Sequence, residues 1–187
     1  MQAMTDREMG EFLRDTGFPP AGDAQGRMET DLETGTAVRM TDPEAIRKFV
    51  LAGNAYFTLT SLKTGVRYTY RVSKAKPNPN YRQLFPTYFV SVLTGSDNVG
   101  SYTYAGLLQD LAVGWGLRQT RGSKVSSQAP SYKAIEWFLG RLLNRKGWEM
   151  GVSFCHAGKC GRCGRLLTVP SSVEAGLGPE CAGKGMA

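Results

Sequence analysis

The four cysteines and the single histidine of this 187-residue chain all fall between positions 155 and 181. Cys160-Gly-Arg-Cys163 has the spacing of a zinc knuckle. Two intervening residues let the backbone turn so that both thiolates meet one ion, and Gly161 and Gly164 permit that turn together with amide-to-sulfur hydrogen bonds. Cys181 supplies a third ligand, following Gly176-Leu-Gly-Pro-Glu180, a rigid turn able to present one side chain back to the knuckle. The fourth is His156 or Cys155, neighbours that point to opposite sides of an extended segment. Four protein ligands leave no open position, so the chemistry expected is one structural Zn2+ that stabilises folding. Clustered thiols in a chain without a secretory leader favour metal over disulfides.

Cations surround these ligands: Lys159, Arg162 and Arg165 can present a basic rim to phosphates or base edges. Further candidates for nucleic-acid contact are Arg67 and Arg71 on a strand, and Arg118, Arg121 and Lys124 in a Ser/Gly-rich stretch. Tyr102 and Tyr104 offer stacking planes of the kind used for single strands. The plain alternatives are a solvated sheet face for the arginines and core positions for Tyr68, Tyr70, Tyr102 and Tyr104. Catalysis finds no machinery. The sole histidine is a candidate metal ligand, and no phosphate-binding loop, HExxH or zinc-deaminase signature is present. Asp97 and Asp110, the only carboxylates in residues 51–115, read as turn and surface groups. The chain reads as a non-enzyme.

The elements that must position these residues follow from periodicity. A short amphipathic helix starts at Thr5, with Glu8 completing a capping box and Phe12 and Leu13 on its edge. The turn-rich, acidic stretch after it reads as linker. Thr41-Asp-Pro-Glu44 starts a helix that runs to about Ala52, burying Ile46, Phe49 and Val50. The apolar period then shifts from 3.6 to 2. Residues 55–62 and 66–73 form a hairpin across Lys63-Thr-Gly65, with Val66, Tyr68, Tyr70 and Val72 on one side and Arg67, Thr69, Arg71 and Ser73 on the other. A second hairpin pairs 87–94 with 101–108 across Gly95–Asn98. Residues 116–130 read as a basic loop, and a helix follows from Ser131 to about Lys146. Its stripe is Ile135, Phe138, Leu139, Leu142 and Leu143, which packs it across the sheet. Ser171, with Glu174 three residues on, suggests a capped helical turn ended by Gly176.

The fold expected is therefore α+β: a small antiparallel sheet of two β-hairpins packed with helices, plus a C-terminal zinc-knuckle module. Its divisions are an acidic, partly disordered segment over 1–40, an α+β domain over 41–150 and a zinc-binding module over 151–187. Charge is spread unevenly along the chain, at net −4 over residues 1–50, +4 over 51–115 and +7 over 116–187. A basic body suits a polyanionic partner, nucleic acid above all. No apolar run approaches the roughly 20 residues needed to span a bilayer, and the polar start is no signal peptide, so the cytoplasm is the expected compartment.

The stretch CHAGKCGRCGRLLTVPSSVEAGLGPECAGK resembles an uncharacterised phage- and plasmid-borne family defined by a CGRCGRxLTxPxSxxxGxGPxC zinc-binding domain of unknown function. The likeness extends more loosely through LAGNAYFTLTSLKTGVRYTYRV and YFVSVLTGSDNVGSYTYAG, over most of residues 51–183. It implies His156, Cys160, Cys163 and Cys181 as the ligand set, and Cys155 falls outside the pattern. It implies a mobile-element origin and brings no activity with it. The function expected is a zinc-containing, nucleic-acid-binding accessory protein of a phage or mobile element. Its rival is a protein-interaction module that inhibits or redirects a host defence or transcription complex, with the acidic first 40 residues folding on that partner.

Overall fold

The computed structural model describes residues 37–76, 85–111, 113–146 and 151–184. The Thr5 helix and most of the Pro/Asn-rich loop after residue 76 lie outside them. The α+β class holds, but the sheet is larger than two hairpins. Its seven strands run antiparallel in the order β1-β7-β2-β3-β4-β5-β6. They are β1 (Val38–Met40), β2 (Asn54–Ser61), β3 (Arg67–Lys74), β4 (Thr87–Leu93), β5 (Tyr102–Leu111), β6 (Gly114–Arg118) and β7 (Val152–His156). Helices α1 (Pro43–Val50) and α2 (Pro130–Leu143) cover one face, and the short α3 (Pro170–Ala175) and α4 (Pro179–Gly183) lie in the cysteine-rich tail.

The expected hairpins are β2–β3 and β4–β5, and between them β3 pairs with β4. A bulge at Ala105, between the pairs Val90↔Gly106 and Ser91↔Tyr104, shifts the register of β5. Three strands are additions to the expected four. β7 inserts between β1 and β2, with Phe154 opposite both Met40 and Leu59. The sheet thus takes in residues on either side of positions 40 and 150.

β6 occupies the start of what reads as a basic loop. It carries two glycines and little strand propensity of its own. Asn144, just past α2, holds it there: its Oδ1 accepts from the Trp115 amide at 2.8 Å and its Nδ2 donates to the Trp115 carbonyl at 2.9 Å. The rest of the stretch is also tied down. The Lys124 amide donates to the Tyr104 carbonyl at 2.9 Å, continuing the pairing of β5 beyond its bulge, and Val125 is buried in the core.

The core lies between sheet and helices. Phe57 of β2 and Phe154 of β7 stack at 4.7 Å, and Phe138 of α2 stacks on Phe154 at 5.7 Å. Burying one such side chain contributes about 1.5–3 kcal/mol. The buried tyrosines have partners: the Tyr70 hydroxyl donates to the Ser131 carbonyl at 2.8 Å and that of Tyr88 to the Leu51 carbonyl at 3.2 Å. The cap of α1 is Asp42 rather than Thr41, its carboxylate accepting from the Glu44 and Ala45 amides at 3.1 and 3.2 Å. Pro43, with its fixed φ, takes the first helical position and makes the residue before it the cap. The same reason moves the cap of α3 from Ser171 to Val169, ahead of Pro170.

Candidate metal centre and open sheet face

The tail after β7 is folded by backbone bonds around two tight turns. The Cys160 amide donates to the Arg165 carbonyl at 2.8 Å and the Gly164 amide to the Cys160 carbonyl at 2.9 Å, closing the knuckle. Gly164 sits at φ 74°, where a side chain would be strained. Gly176, at φ 66°, ends α3 in the left-handed conformation, as expected. Cys181 is presented from α4 rather than from an irregular turn.

These elements bring three sulfurs together. The Sγ atoms of Cys160, Cys163 and Cys181 lie within 4.8 Å of one another. Cys160 is buried and Cys163 faces outward. Burial by itself raises the Cys160 thiol, but amide hydrogen bonds from Cys163, Gly178 and Arg162 outweigh it and bring the group down to about 7. Burial, hydrogen bonds to Cys163 and Cys160, and the charge of both push Cys181 up to about 11. Three thiols this close cannot all ionise unaided, and a divalent cation removes that obstacle. The donor set therefore fits a soft, thiolate-preferring ion such as zinc.

His156 is not part of the three-sulfur group, and neither is Cys155. The two point to opposite sides of β7. His156 is buried beside Phe49, at 5.0 Å between rings, and Cys155 is half-buried on the other face. The Nε2 of His156 lies 3.0 Å from the Val173 carbonyl. A carbonyl only accepts, so Nε2 carries the proton and Nδ1 holds a lone pair. That Nδ1 is buried with no hydrogen-bond partner. Burial lowers the pKa of the ring, against the opposing pull of the Val173 bond, which keeps it neutral.

What locks the tail to the sheet is a side chain expected to be buried by helical spacing, but whose contact with the tail spacing does not reveal. Phe49 of α1 sits against Gly161 and Gly176. A Cβ on Gly161 would stand 2.7 Å from the Phe49 ring, and one on Gly176 would also clash with it. The Asn54 amide, at the start of β2, donates to the Gly161 carbonyl at 2.7 Å. The cluster is thus fixed on the helix-covered side of the sheet.

The expected nucleic-acid residues divide between two places. Lys159 and Arg165 are exposed on the knuckle; Arg162 is half-buried, and its charge offsets part of the burial-driven rise in the Tyr88 pKa. Arg67, Arg71 and Arg118 share the opposite face, over which no described helix lies, in register with Thr60, with Tyr56 and Ser91, and with Leu107 respectively. Arg121 and Lys124 are exposed on the turn that closes beside Tyr104, where the Thr120 hydroxyl donates to the Tyr104 oxygen at 3.3 Å. Tyr68 and Tyr70 turn to the core; Tyr102 and Tyr104 turn to the open face.

Tyr56 and Phe89, which the sequence motifs do not point to, complete that face through two aromatic contacts. Tyr56 meets Tyr102 edge-on at 5.5 Å, with the Arg71 guanidinium 5.3 Å from the Tyr56 centroid. Phe89 meets Tyr104 edge-on at 5.9 Å. Strand parity places Tyr56 and Phe89 there and could have found them.

Fold and site together define an α+β protein with a seven-stranded antiparallel sheet and a C-terminal cysteine cluster able to hold a metal ion. A family of unknown function (DUF6011) matches residues 154–184, the end of β7 and the tail that carries the cluster. No curated protein and no solved structure matches the chain. Among the described residues, no helix is long and apolar enough to cross a membrane.

Proposed function

We propose that this chain is a non-catalytic, zinc-stabilised nucleic-acid-binding accessory protein of a phage or mobile element. The observation that carries the reading is the charge of the sheet face over which no described helix lies. Arg67, Arg71 and Arg118 stand on it, and the only carboxylate in strands β2 to β6, Asp110, pairs with Trp115 at the other parity. A cationic face without acids attracts phosphates and repels nothing in them. The test is binding of the purified chain to DNA and RNA over a salt series. Affinity falls steeply with salt, and Arg71→Ala lowers the log–log slope by about one. No binding at low salt sinks the proposal.

The metal reading completes the ligand set with His156 through Nδ1. An imidazole that donates its other N–H to a backbone carbonyl is the usual orientation of a metal-bound histidine. Loading with cobalt(II) tests it: three sulfurs and one nitrogen give a tetrahedral absorption spectrum distinct from that of four sulfurs. Unchanged ligand-field bands in His156→Gln would remove the histidine from the set.

A protein partner is the second reading, favoured by Leu166 and Val169, which stand 69% and 55% exposed on the tail. A host complex bound there predicts that Leu166→Asp abolishes its capture and leaves nucleic-acid affinity unchanged.

A further inference from the structure

We propose that the open sheet face takes single-stranded nucleic acid, with bases stacked on Phe89 and Tyr102 and phosphates held by Arg67 and Arg71. The inference rests on the nucleic-acid reading above and names its substrate class. Two observations carry it beyond charge. First, Phe89 is 41% exposed in the middle of β4, on a face where its neighbours across the sheet are Ser73 and Leu107. Beyond its edge-on contact with Tyr104, part of this side chain stays open to solvent, and an unpaired base supplies a flat apolar partner for it. Second, Tyr56 and Tyr104 end the cross-strand row Tyr56–Arg71–Ser91–Tyr104, and Tyr102 and Phe89 pack against them, so the Arg71 cation lies between two aromatic pairs.

The Nε of Arg71 is itself buried with no hydrogen-bond partner. Its guanidinium is held against Tyr56 by ring contact, which leaves donors for an oxyanion. A duplex does not fit this surface as well. Its bases are stacked on each other and unavailable to side-chain rings, and no described helix stands on this face to enter a major groove. A flat platform with rings and cations reads the unpaired strand through its base faces and backbone.

The experiment uses the full chain and labelled 12-nucleotide oligomers: mixed-sequence single-stranded DNA, the same sequence as RNA, and the blunt DNA duplex. Anisotropy is recorded for the parent protein, Phe89→Ala, Phe89→Trp and Arg71→Ala. Binding of the DNA or the RNA single strand at least tenfold tighter than the duplex is expected. Phe89→Ala should weaken single-strand binding about 5- to 150-fold, the range of one stacked base, and leave duplex binding unchanged. Phe89→Trp keeps a stacking ring, so it restores affinity, and its indole fluorescence is quenched on addition of the single strand.

Equal affinity for duplex and single strands, dependent on Arg71 and indifferent to Phe89, would overturn this inference and leave the nucleic-acid reading standing. Absence of binding to all three oligomers at low salt would overturn both. Matching thermal melts of parent and Phe89→Ala confirm that the loss is not one of folding.

Discussion

Tyr56 and Phe57 are neighbours in β2 and face opposite sides of the same sheet. Phe57 stacks on Phe154 and lies 6.2 Å from the Phe138 ring, closed over by α2. Tyr56 leans on Tyr102 and under the Arg71 guanidinium, with no described helix above it. Both sides are rich in aromatic rings, so aromatic content alone does not tell core from contact surface. The surroundings do. On the covered side, rings meet rings and aliphatic chains, and hydroxyls such as that of Tyr70 find a carbonyl. On the open side they meet arginines and threonines, the latter paired across strands as in Thr58–Thr69 at 2.9 Å. One side spends its rings on cohesion, and the other leaves part of each ring to the outside.

The strongest way to break the comparison is to remove the metal proposed for the three sulfurs, because the cysteine tail is docked on Phe49, a residue of the covered side. Structural zinc contributes on the order of 10–16 kcal/mol in comparable small sites. Cys160→Ser, or a strong chelator, should remove one zinc per chain by elemental analysis. Amide exchange then collapses for Cys160, Gly164 and Leu167, whose bonds close the knuckle, while the amides of β3 keep their protection. A tail that stays protected without metal would refute the structural role of the ion.

Phe57→Ala comes next. Truncating a buried aromatic ring costs about 3–5 kcal/mol, read from the urea midpoint at unchanged slope. Gly176→Ala is smaller, at about 1–3 kcal/mol for a side chain forced into the left-handed region, with the added clash against Phe49. Because that clash lies between tail and α1, its loss should appear first as faster exchange in residues 158–184. Equal loosening across β4 and β5 would instead make the tail an integral part of the core.

How much of this was legible in the sequence varies with the range of the interaction. The hairpins β2–β3 and β4–β5 were, since alternation and a glycine-bearing turn are local signals, and so were the helix α2 and its stripe. β1 and β6 are short and lack alternation, and β7 finds both its partners, β1 and β2, far away in the chain. Their strand character is imposed by pairing. The knuckle was legible because metal geometry dictates ligand spacing. Its docking on Phe49 was not, because Gly161 and Gly176 serve local turns equally well. Parity also sorted Arg67 and Arg71 from Tyr68 and Tyr70, but it could not tell which face the helices would cover.

Tyr56→Ala gives the smallest effect and the sharpest contrast with its neighbour. The substitution removes one edge-on aromatic pair, worth about 0.5–1.5 kcal/mol, and one cation–ring contact, worth about 0.5–1 kcal/mol where solvent reaches it. Against these, the Arg71 guanidinium regains water that Tyr56 now excludes, and its buried Nε acquires a partner. The net loss should be near 1 kcal/mol, well under that of Phe57→Ala, with no change in the cooperativity of unfolding. If Tyr56→Ala costs as much as Phe57→Ala, then the face read here as open is closed in the free protein. In that event the arginines on it would be interior charges, and no nucleic acid could reach them without displacing whatever covers them.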